Sequence, residues 1–588
     1  MTAGVRQQPR EATRPRTPRR PRLPALLALL VGLAGIGYRL ALLLADAPPT
    51  NSDEATMGLA ALHIARGADF PVWFYGQAYM GTLEAYLAAP LVALAGPSVL
   101  ALRLPTLALY ALFLALSWRL TRRLGGDRWY ALLVVAVLAL GADRVVKNQL
   151  IAGGGYPELN PAAAALALLT VGLCAAGPGA RLPLRAGGAS RPAARPAPQA
   201  VAPRSAVRLS GWAAWGLVSG LLLWVDPLIL PFVLALGGVL VERRRRELVG
   251  RAGAALAGGL LLGAAPMLLD SLRHGRNPLA AVLAASGADA AASWGERLHG
   301  GLVLGPPLAM GFCSPGHCAG WQLWWAPAFL VLLLLAAITA GRTLRRPVPP
   351  VPLSSSPDLG DFPFAANDNS PRSGDDPAVT ADRRVSAAVR LALLAGAAAV
   401  LAAYAASNAA GRTPVESARY LSVLAVATPA LLWPLWSAAR RAGRARVRAA
   451  GVAAVAVLAG MLGTGAVATA GAIGTVPATH AEADRHRALV DTLGALGVRH
   501  VRAGYWTCNR LTFATGEEVR CAVVDDELRP GFDRLPAYRR AVDADPGAAW
   551  VAPAGSPLAA RLDGRVGSGP GALEVVTAAG WRIYLPRR

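Results

Sequence analysis

The sequence predicts an all-α polytopic membrane protein of about eleven transmembrane helices, followed by a small α/β domain at the carboxyl end. Residues of the set AVILMFWYC make up 54% of the 588 residues, charged residues make up only 16%, and the mean hydropathy is +0.40. Ordinary soluble domains carry about 25% charged residues, so this composition excludes a soluble or disordered protein. Long apolar runs recur as far as residue 473, and beyond residue 477 the sequence changes to short alternating segments.

Apolar runs of about 20 residues are long enough to cross a bilayer as helices. The division of the stretch 210–241 around Asp226 and Pro227 is open, so the count holds to within one or two spans. The apolar stretch 83–96 has only 14 residues, and we predict that it is an interfacial or re-entrant segment. The predicted spans are 23–45, 100–121, 128–142, 161–177, 210–226, 227–241, 252–269, 321–341, 386–408, 420–438 and 449–473.

The net charge of +24 is explained by the positions of the arginines, which make up 58 of the 59 basic residues. Positive charge marks the cytoplasmic side of membrane proteins, so we place the arginine-rich connections inside. The arginine-rich segment 1–22 lacks a signal-peptide cleavage site and is placed inside as well. A charged surface without a partner and a nucleic-acid-binding surface do not explain the alternation, and no nucleic-acid partner is expected. The inside connections are 122–128, 178–209, 242–251, 342–385 and 439–448.

The same alternation predicts the domain organisation in a cell membrane. The segment 23–476 forms the membrane domain, its first outside loop is 46–99, and residues 477–588 form an extracytoplasmic domain. The inside connections 178–209 and 342–385 are rich in Pro, Ala, Ser and Arg, and we expect flexible linkers because such sequences cannot bury a core. In the carboxyl-terminal domain the sequence predicts helices at 486–496 and 535–542 and strands at 500–506, 519–524, 549–551, 573–576 and 581–585.

Four of the five cysteines lie in segments predicted to be outside, and the fifth lies within a span. Disulfides persist in an oxidising exterior, so we predict the pairs Cys313–Cys318 and Cys508–Cys521. Cys313, His317 and Cys318 could instead hold a metal ion. Structural zinc sites are almost always four-coordinate, and the sequence offers no fourth ligand, so the disulfide is favoured.

The first outside loop carries the most informative residues. Asp53 and Glu54 open a helix that Asn51 or Ser52 can cap, and the apolar residues that follow make the helix amphipathic, so we expect it to lie along the membrane surface. The alternative is that both acids only complement the helix dipole. Carbohydrate sites combine aromatic faces with a few directional polar groups. The residues beyond the helix fit that composition: Trp73, Phe74, Tyr75, Gln77 and Tyr79.

These features resemble the GT-C glycosyltransferases. In that superfamily the first outside loop opens with Asp-Glu, continues as a juxtamembrane helix, which here ends at Gly67, and runs into aromatic residues. The resemblance is closest to the protein O-mannosyltransferase, aminoarabinose-transferase and RgtA/B/C/D-like group, and it is sharpest over 24–177. It continues as general architecture to about residue 440, where Arg419 and Tyr420 match an Arg-Tyr pair that often opens a late span.

The resemblance implies transfer of a sugar from a polyprenyl-phosphate donor to an acceptor on the outside face. Asp53 is then the general base that takes the proton of the acceptor hydroxyl. Glu54 is expected to orient Asp53, to bind acceptor hydroxyls or to help hold a metal ion. Tyr75, Gln77 and Tyr79 are expected to bind substrate.

The donor phosphate needs positive charge, and two residues are candidates for it. Lys147 is the single lysine and lies in the second outside loop, and Arg419 lies at the outside edge of a late span. Glu158 matches the acidic residue of the family's second outside loop, with Asp143 as its rival. The need for a divalent cation, Mg²⁺ or Mn²⁺, is open, and no other cofactor is expected.

One segment departs from the family pattern. Many relatives carry His-Pro-Pro or Pro-Pro-Leu after the juxtamembrane helix, whereas this chain has YMGTLE at 79–84. The departure favours a lipid or polysaccharide acceptor over a protein. The alternative functions are a transporter or flippase of lipid-linked sugars and an assembly scaffold that acts through the outside domain.

Overall fold

The computed structural model is largely helical, with one small sheet at the carboxyl end, as the sequence predicts. The segment 1–22 and most of the linkers predicted at 178–209 and 342–385 lie outside the described residues. The structure describes residues 23–154, 156–175, 202–278, 280–281, 291–313, 316–345, 377–443, 448–567 and 572–587.

Within these ranges, seven helical spans are long and apolar enough to cross a membrane, which makes this a multi-pass membrane protein. Two bent helix pairs raise the number to nine if each pair is one span. The predicted number of eleven stays a prediction. The seven are Leu23–Leu44, Val99–Arg123, Tyr156–Ala175, Gly320–Arg345, Ala381–Ala406, Pro414–Ala439 and Arg448–Ala495.

The two bent pairs fall where the sequence predicts single spans. Arg128–Ala139 meets Asp143–Leu150 at 91°, and Arg251–Gly263 meets Ala265–His274 at 61°. In the second pair Pro266 stands in the first turn of the new helix, where a missing amide proton costs no hydrogen bond. Between the pairs lie two further long helices, Ala202–Val225 and Leu230–Leu248.

Short helical pieces replace part of the late membrane region. Pro414, Pro429 and Pro434 each stand in the first turn of a new piece, because proline ends the hydrogen-bond ladder of the helix before it. A 3₁₀ segment, Ala418–Ala427, carries Arg419 and Tyr420. The short helices are Trp294–Leu298, Gly305–Ala309, Asn408–Arg412, Pro414–Ser417, Thr428–Leu431 and Trp433–Ala439.

The carboxyl-terminal domain follows the last long helix, Arg448–Gly474, through a break and the helix Val476–Ala495. Its strands are β1 (His500–Ala503), β2 (Arg520–Val523), β3 (Ala549–Pro553), β4 (Leu573–Ala578) and β5 (Trp581–Pro586), and its helices are Tyr505–Ala514, Pro536–Asp543 and Pro557–Asp563. The five-stranded sheet has the order β2-β1-β3-β5-β4, in which β1 is parallel to β2 and β3, and β5 is antiparallel to β3 and β4.

The first predicted strand of this domain begins where expected but is too long by three residues. The strand expected over 500–506 ends at Ala503, and a helix, called the domain helix below, runs from Tyr505 to Ala514. Its Cys508 and Leu511 enter the core of the domain. The other side of this helix also packs on protein. The segment therefore lacks the polar face that allows an amphipathic helix to be predicted from sequence.

The helix Ser52–Ala65, called the loop helix below, is buried on nearly every side rather than amphipathic. Met57 and Ala60 pack in one cluster with residues of Leu83–Ala95, the 13-residue apolar helix in the segment predicted to be interfacial or re-entrant. The first outside loop is therefore a packed helical pair rather than an open connection.

The carboxyl-terminal domain covers the face of the loop helix that we expected to be solvated. Leu59 packs with Phe513 and Tyr538 of that domain. Asn509 of the domain helix donates a hydrogen bond from Nδ2 to Oγ1 of Thr56 at 2.7 Å. The prediction of a solvated face is wrong because residues more than 400 positions away in the chain pack on that face.

Candidate active site

Asp53 lies at the junction between the membrane domain and the carboxyl-terminal domain. Asn51 caps the loop helix, its Oδ1 accepting a hydrogen bond from the amide of Glu54 at 2.9 Å, so Asp53 is not needed as the cap. Its side chain keeps 24% of its exposure. Oδ1 accepts hydrogen bonds from Oη of Tyr505 at 2.5 Å and Nη2 of Arg534 at 2.8 Å. A carboxylate that is ordered and still reachable meets the requirements of a general base.

Arg534 connects Asp53 to the aromatic turn of the first loop. The residue is 8% exposed. Its Nε donates to Oη of Tyr505 at 2.6 Å, and its Nη1 donates to the carbonyl oxygen of Tyr75 at 3.1 Å. Its Cζ lies 4.5 Å from the ring centroid of Phe74, a cation–π distance. Burial and the hydrogen bond to Asp53 raise the pKa of Tyr505, so that Tyr505 stays protonated and acts as a donor at neutral pH.

Glu54 has a different environment from the one expected for it. It is fully buried, and its two oxygens accept hydrogen bonds from Nε and Nη2 of Arg103, both at 2.6 Å. Arg103 also donates to the carbonyl oxygen of Pro48 at 2.8 Å. Because both oxygens of Glu54 are bound by Arg103, they are not available to orient Asp53, to bind an acceptor or to hold a metal ion. Glu54 instead fastens the loop helix to the helix Val99–Arg123.

Arg419 brings positive charge to Asp53. Its guanidinium lies within electrostatic range of Asp53, and its Cζ lies 6.0 Å from the ring centroid of Tyr156 and 5.4 Å from that of Tyr420. Tyr79 belongs to the same group, within range of Arg419 and Tyr420. The Nε of Arg419 is buried, and no described residue accepts a hydrogen bond from it. Buried polar groups are nearly always paired, so this donor is available to a ligand.

Lys147, the other candidate for binding the phosphate, forms an ion pair with a residue of its own helix. Its Nζ lies 3.0 Å from Oδ2 of Asp143, one turn earlier. On the same helix Arg144 lies within electrostatic range of Arg419 and Glu416. The Nε of Arg144 is also buried without an acceptor among the residues that the structure describes. Arg144 and Arg419 therefore form the positive side of the site.

Glu158 belongs to a second, buried group of acids. It lies within electrostatic range of Glu84 and Asp226, and Asp226 lies within range of Arg419. Oε2 of Glu84 accepts a hydrogen bond from the amide of Gly154 at 3.1 Å. Gly154 has a φ of +125°, which favours glycine. The loop that carries Gly154 thus packs directly against the segment that carries Glu84, and Arg419 connects both acidic groups.

Tyr75 and Gln77 are turned toward partners other than Asp53. Oη of Tyr75 is hydrogen-bonded to Nδ1 of His63 at 2.7 Å and donates to Oδ2 of Asp69 at 2.8 Å. Burial and Asp69 raise the pKa of Tyr75. Gln77 lines a cleft of about 690 Å³ that opens beside the helix Ala265–His274. Of the three predicted binding residues, Tyr79 is the one placed beside Arg419.

Four of the five cysteines are joined in two pairs, Cys313–Cys318 and Cys508–Cys521. Within the described ranges, no group of three or more His, Cys, Asp or Glu side chains is arranged to hold a metal ion. The ligands that the sequence offered are committed elsewhere, since the cysteines are bonded to each other and Glu54 to Arg103.

Several residues of this arrangement were not predicted, among them Arg103, Tyr505 and Arg534. An ionisable residue inside a predicted span needs a buried partner, and that signal could have found Arg103. Tyr505 lies in the segment predicted to be a strand. Nothing in the local sequence distinguishes Arg534 from the other arginines, and only the fold brings it to Asp53.

The architecture is shared with solved membrane proteins. The apo structure of ArnT from Cupriavidus metallidurans superposes with a TM-score of 0.52 at 14% identity, over 96% of this chain and 97% of that one. ArnT bound to undecaprenyl phosphate gives 0.50 over the same shares. The apo oligosaccharyltransferase of Archaeoglobus fulgidus gives 0.44 at 12% identity, over 90% and 69%. No family model matches the chain, and neither does any curated relative. The predicted helical membrane fold with a small carboxyl-terminal sheet is confirmed.

Proposed function

We propose that the protein is an integral-membrane glycosyltransferase. It moves a sugar from a polyprenyl-phosphate donor to a hydroxyl group of a lipid or polysaccharide acceptor, on the membrane face that carries the carboxyl-terminal domain. The fold supports the proposal, since it is shared over 96% of the chain with ArnT, which has been solved bound to undecaprenyl phosphate. The observation that carries it is that Asp53, an ordered carboxylate with 24% of its side chain exposed, lies within electrostatic range of Arg419, whose buried Nε has no acceptor among the described residues.

The reaction requires a base and a stabilised leaving group. Asp53 accepts the proton of the acceptor hydroxyl while the hydroxyl oxygen attacks C1 of the sugar. The bond between C1 and the phosphate oxygen breaks, and polyprenyl phosphate leaves with the bonding electrons. One carboxylate is sufficient for this displacement, which inverts the configuration at C1. Asp53 fulfils the role without help from Glu54, whose oxygens are bound by Arg103.

The charge that develops on the leaving phosphate is met by arginine. Positive groups aimed at the developing charge are the largest single source of rate enhancement in many enzymes. Arg419 and Arg144 lie within range of one another and carry buried donors without acceptors in the described part of the chain. Arg419 is surrounded by three tyrosines, Tyr79, Tyr156 and Tyr420, which add polar groups for the phosphate and the sugar. No step of this mechanism uses a metal ion.

The proposal is tested by mass spectrometry of the lipid-linked and envelope glycans from cells that carry the wild type, Asp53→Asn or the control Asp491→Asn. Asp491 lies exposed on the helix Val476–Ala495, outside the site. We expect the Asp53→Asn cells to lose one glycan product and to accumulate its lipid-linked donor, and the control cells to match the wild type.

Purified protein separates the competing functions. Release of polyprenyl phosphate by the wild type in lipid nanodiscs supports the transferase. Movement of lipid-linked sugar across vesicles without any glycosidic product would identify a transporter or flippase instead. Unchanged glycans in cells that lack the protein would contradict the proposal altogether.

A further inference from the structure

The Asp53 carboxylate is held from outside the membrane domain. Both hydrogen bonds that it receives come from the carboxyl-terminal domain, from Tyr505 and Arg534, and both end on Oδ1. These partners lie 452 and 481 residues away in the chain. Oδ2 receives neither bond, and the side chain keeps 24% of its exposure, so Oδ2 can still accept a proton.

We propose that Tyr505 and Arg534 are positioning residues for the catalytic base, so that docking of the carboxyl-terminal domain completes the active site. The inference rests on the proposed function, since it assigns to Asp53 the role of base. The two residues fix the direction of the carboxylate and leave Oδ2 to take the proton of the acceptor. General bases act only from within hydrogen-bond reach of that proton.

Arg534 is suited to holding Asp53 and not to binding a substrate. Each of its three nitrogens donates a hydrogen bond within the protein, to Asp53, to Tyr505 and to the carbonyl of Tyr75. The residue is buried, with its guanidinium over the ring of Phe74. This contrasts with Arg419, whose Nε has no acceptor among the described residues. One arginine is committed to the base, and the other is available to the donor phosphate.

The turn 74–77, which contacts Arg534, leaves room for the carboxyl-terminal domain to pack closely against it. Gly76 has a φ of +79°, which favours glycine, and the amide of Gln77 donates to the carbonyl of Phe74 at 2.9 Å to close the turn. A Cβ on Gly76 would lie 3.0 Å from the ring of Phe532, two residues before Arg534. A side chain at position 76 would therefore press on the segment that carries Arg534.

The loop helix is equally closely fitted to the domain. A Cβ on Gly58 would lie 2.6 Å from the ring of Phe513, closer than real Cβ contacts come. At the far end of the helix, Glu517 lies 3.0 Å from Nε2 of His63 and 2.5 Å from Nη1 of Arg66. Docking is thus specified along the whole length of the loop helix, from Asp53 to Arg66. The base is fully positioned only when the domain is seated.

The first test measures kcat and KM of the purified full chain in nanodiscs, with a polyprenyl-phosphate sugar as donor. Arg534→Gln and Tyr505→Phe are compared with Arg529→Gln, an exposed arginine of the same domain that pairs with Asp525 on the surface. We expect kcat to fall about 10²-fold for Arg534→Gln, since misplacement of a reacting group costs about that much. Tyr505→Phe, which loses one hydrogen bond to a charged group, should cost about tenfold.

The split between the kinetic constants distinguishes positioning from substrate binding. KM for the donor should stay within about twofold in both variants, because neither residue contacts the phosphate. A rise in KM with unchanged kcat would overturn the inference in favour of substrate binding. Wild-type kcat in both variants would also overturn it while the proposed function stands. If the wild type itself transfers no sugar, the result contradicts the proposed function and, with it, the inference that rests on that function.

The second test moves the domain without touching the site residues. Gly58→Leu should displace Phe513 and open the interface, whereas Gly37→Leu, on the helix Leu23–Leu44 with nothing within 4 Å of an added Cβ, is the matched control. We expect Gly58→Leu to lower kcat by about as much as Arg534→Gln, about 10²-fold, and to make the domain more sensitive to limited proteolysis. A looser domain with wild-type kcat would overturn the inference, and size-exclusion chromatography verifies that both variants are folded.

Discussion

Asp53 and Glu54 are neighbours in the chain, and each is paired with an arginine, but the pairs lie on two different faces of the loop helix. Glu54 is fully buried against the helix Val99–Arg123, and both its oxygens are bound by Arg103. Asp53 faces the carboxyl-terminal domain, keeps 24% of its side-chain exposure and uses one oxygen for Tyr505 and Arg534.

The difference between these faces separates a fully committed carboxylate from one that keeps an uncommitted oxygen. A fully buried pair keeps each charge compensated, and its value lies in the cost of breaking it. A partly exposed carboxylate with one committed oxygen retains an acceptor. Proximity of an acid to an arginine is therefore uninformative until the exposure and the hydrogen bonds of each oxygen are known.

Removing the charge of Glu54 should produce the largest effect on stability. Glu54→Gln leaves Arg103 buried without its counter-charge, which costs about 3 to 5 kcal/mol. We expect a clear fall in the thermal unfolding midpoint of the purified protein, whereas Asp53→Asn should leave that midpoint near the wild-type value.

A double variant controls for this prediction. Glu54→Leu combined with Arg103→Met replaces the pair with apolar side chains of similar size, and such replacements are often neutral or stabilising. Recovery of stability and of transfer activity in the double variant would confirm that Glu54 is structural. Stable but inactive protein would show instead that Glu54 takes part in catalysis.

Arg419→Gln tests the side of the site that faces the donor. Loss of one charge aimed at the leaving group costs about 10²-fold in kcat, and we expect weaker donor binding as well. Lys147→Gln is the matched control, because its ammonium is already paired with Asp143 at 3.0 Å. Kinetics with a polyprenyl-phosphate sugar would compare the two. A larger loss for Lys147→Gln than for Arg419→Gln would reverse the assignment of the phosphate.

The smallest effect is expected when the pH is lowered, which should weaken the contact between the carboxyl-terminal domain and the far end of the loop helix. The hydrogen bond from His63, together with Tyr538 and Arg66, lowers the pKa of Glu517 to about 2. A carboxyl whose pKa is lower in the folded state contributes stability above its unfolded pKa, about 4.3 for Glu, and loses it as the pH falls. Docking of the domain should therefore weaken as the pH falls from about 4.3 to about 2.

Limited proteolysis across that pH range measures the docking. In Glu517→Gln, the contact to His63 and Arg66 is already weakened at neutral pH, and the additional loosening between these pH values should be smaller than in the wild type. An identical pH response in Glu517→Gln would show that other carboxyl groups control the interface.

Much of the membrane domain could be predicted because hydropathy is a property of a continuous run. The helices Leu23–Leu44, Val99–Arg123 and Tyr156–Ala175 agree with predicted spans, and Leu83–Ala95 falls in the segment judged too short to cross. The start of the loop helix could be predicted to within a residue, with Asn51 or Ser52 as its cap, because a side chain three residues before an amide can cap it locally, and Asn51 does so.

The sequence also contained misleading signals. The predicted strand 500–506 extends two residues into the domain helix, at Tyr505 and Trp506. Asp53 and Glu54 were assigned to one site because they are adjacent. On an α-helix, however, adjacent side chains point about 100° apart, and they meet different parts of the protein.

The sequence by itself determined where the chain can cross a membrane, where the polar connecting segments lie and which loop holds the acids. These features depend on composition over short stretches, and the physical cause, burial of apolar surface, acts locally. Only the tertiary structure decided which acid is free to react. Arg103 lies 49 residues from Glu54, and Arg534 lies 481 residues from Asp53. The availability of a carboxylate depends on the donors that the fold brings to each oxygen, and no local pattern contains that information.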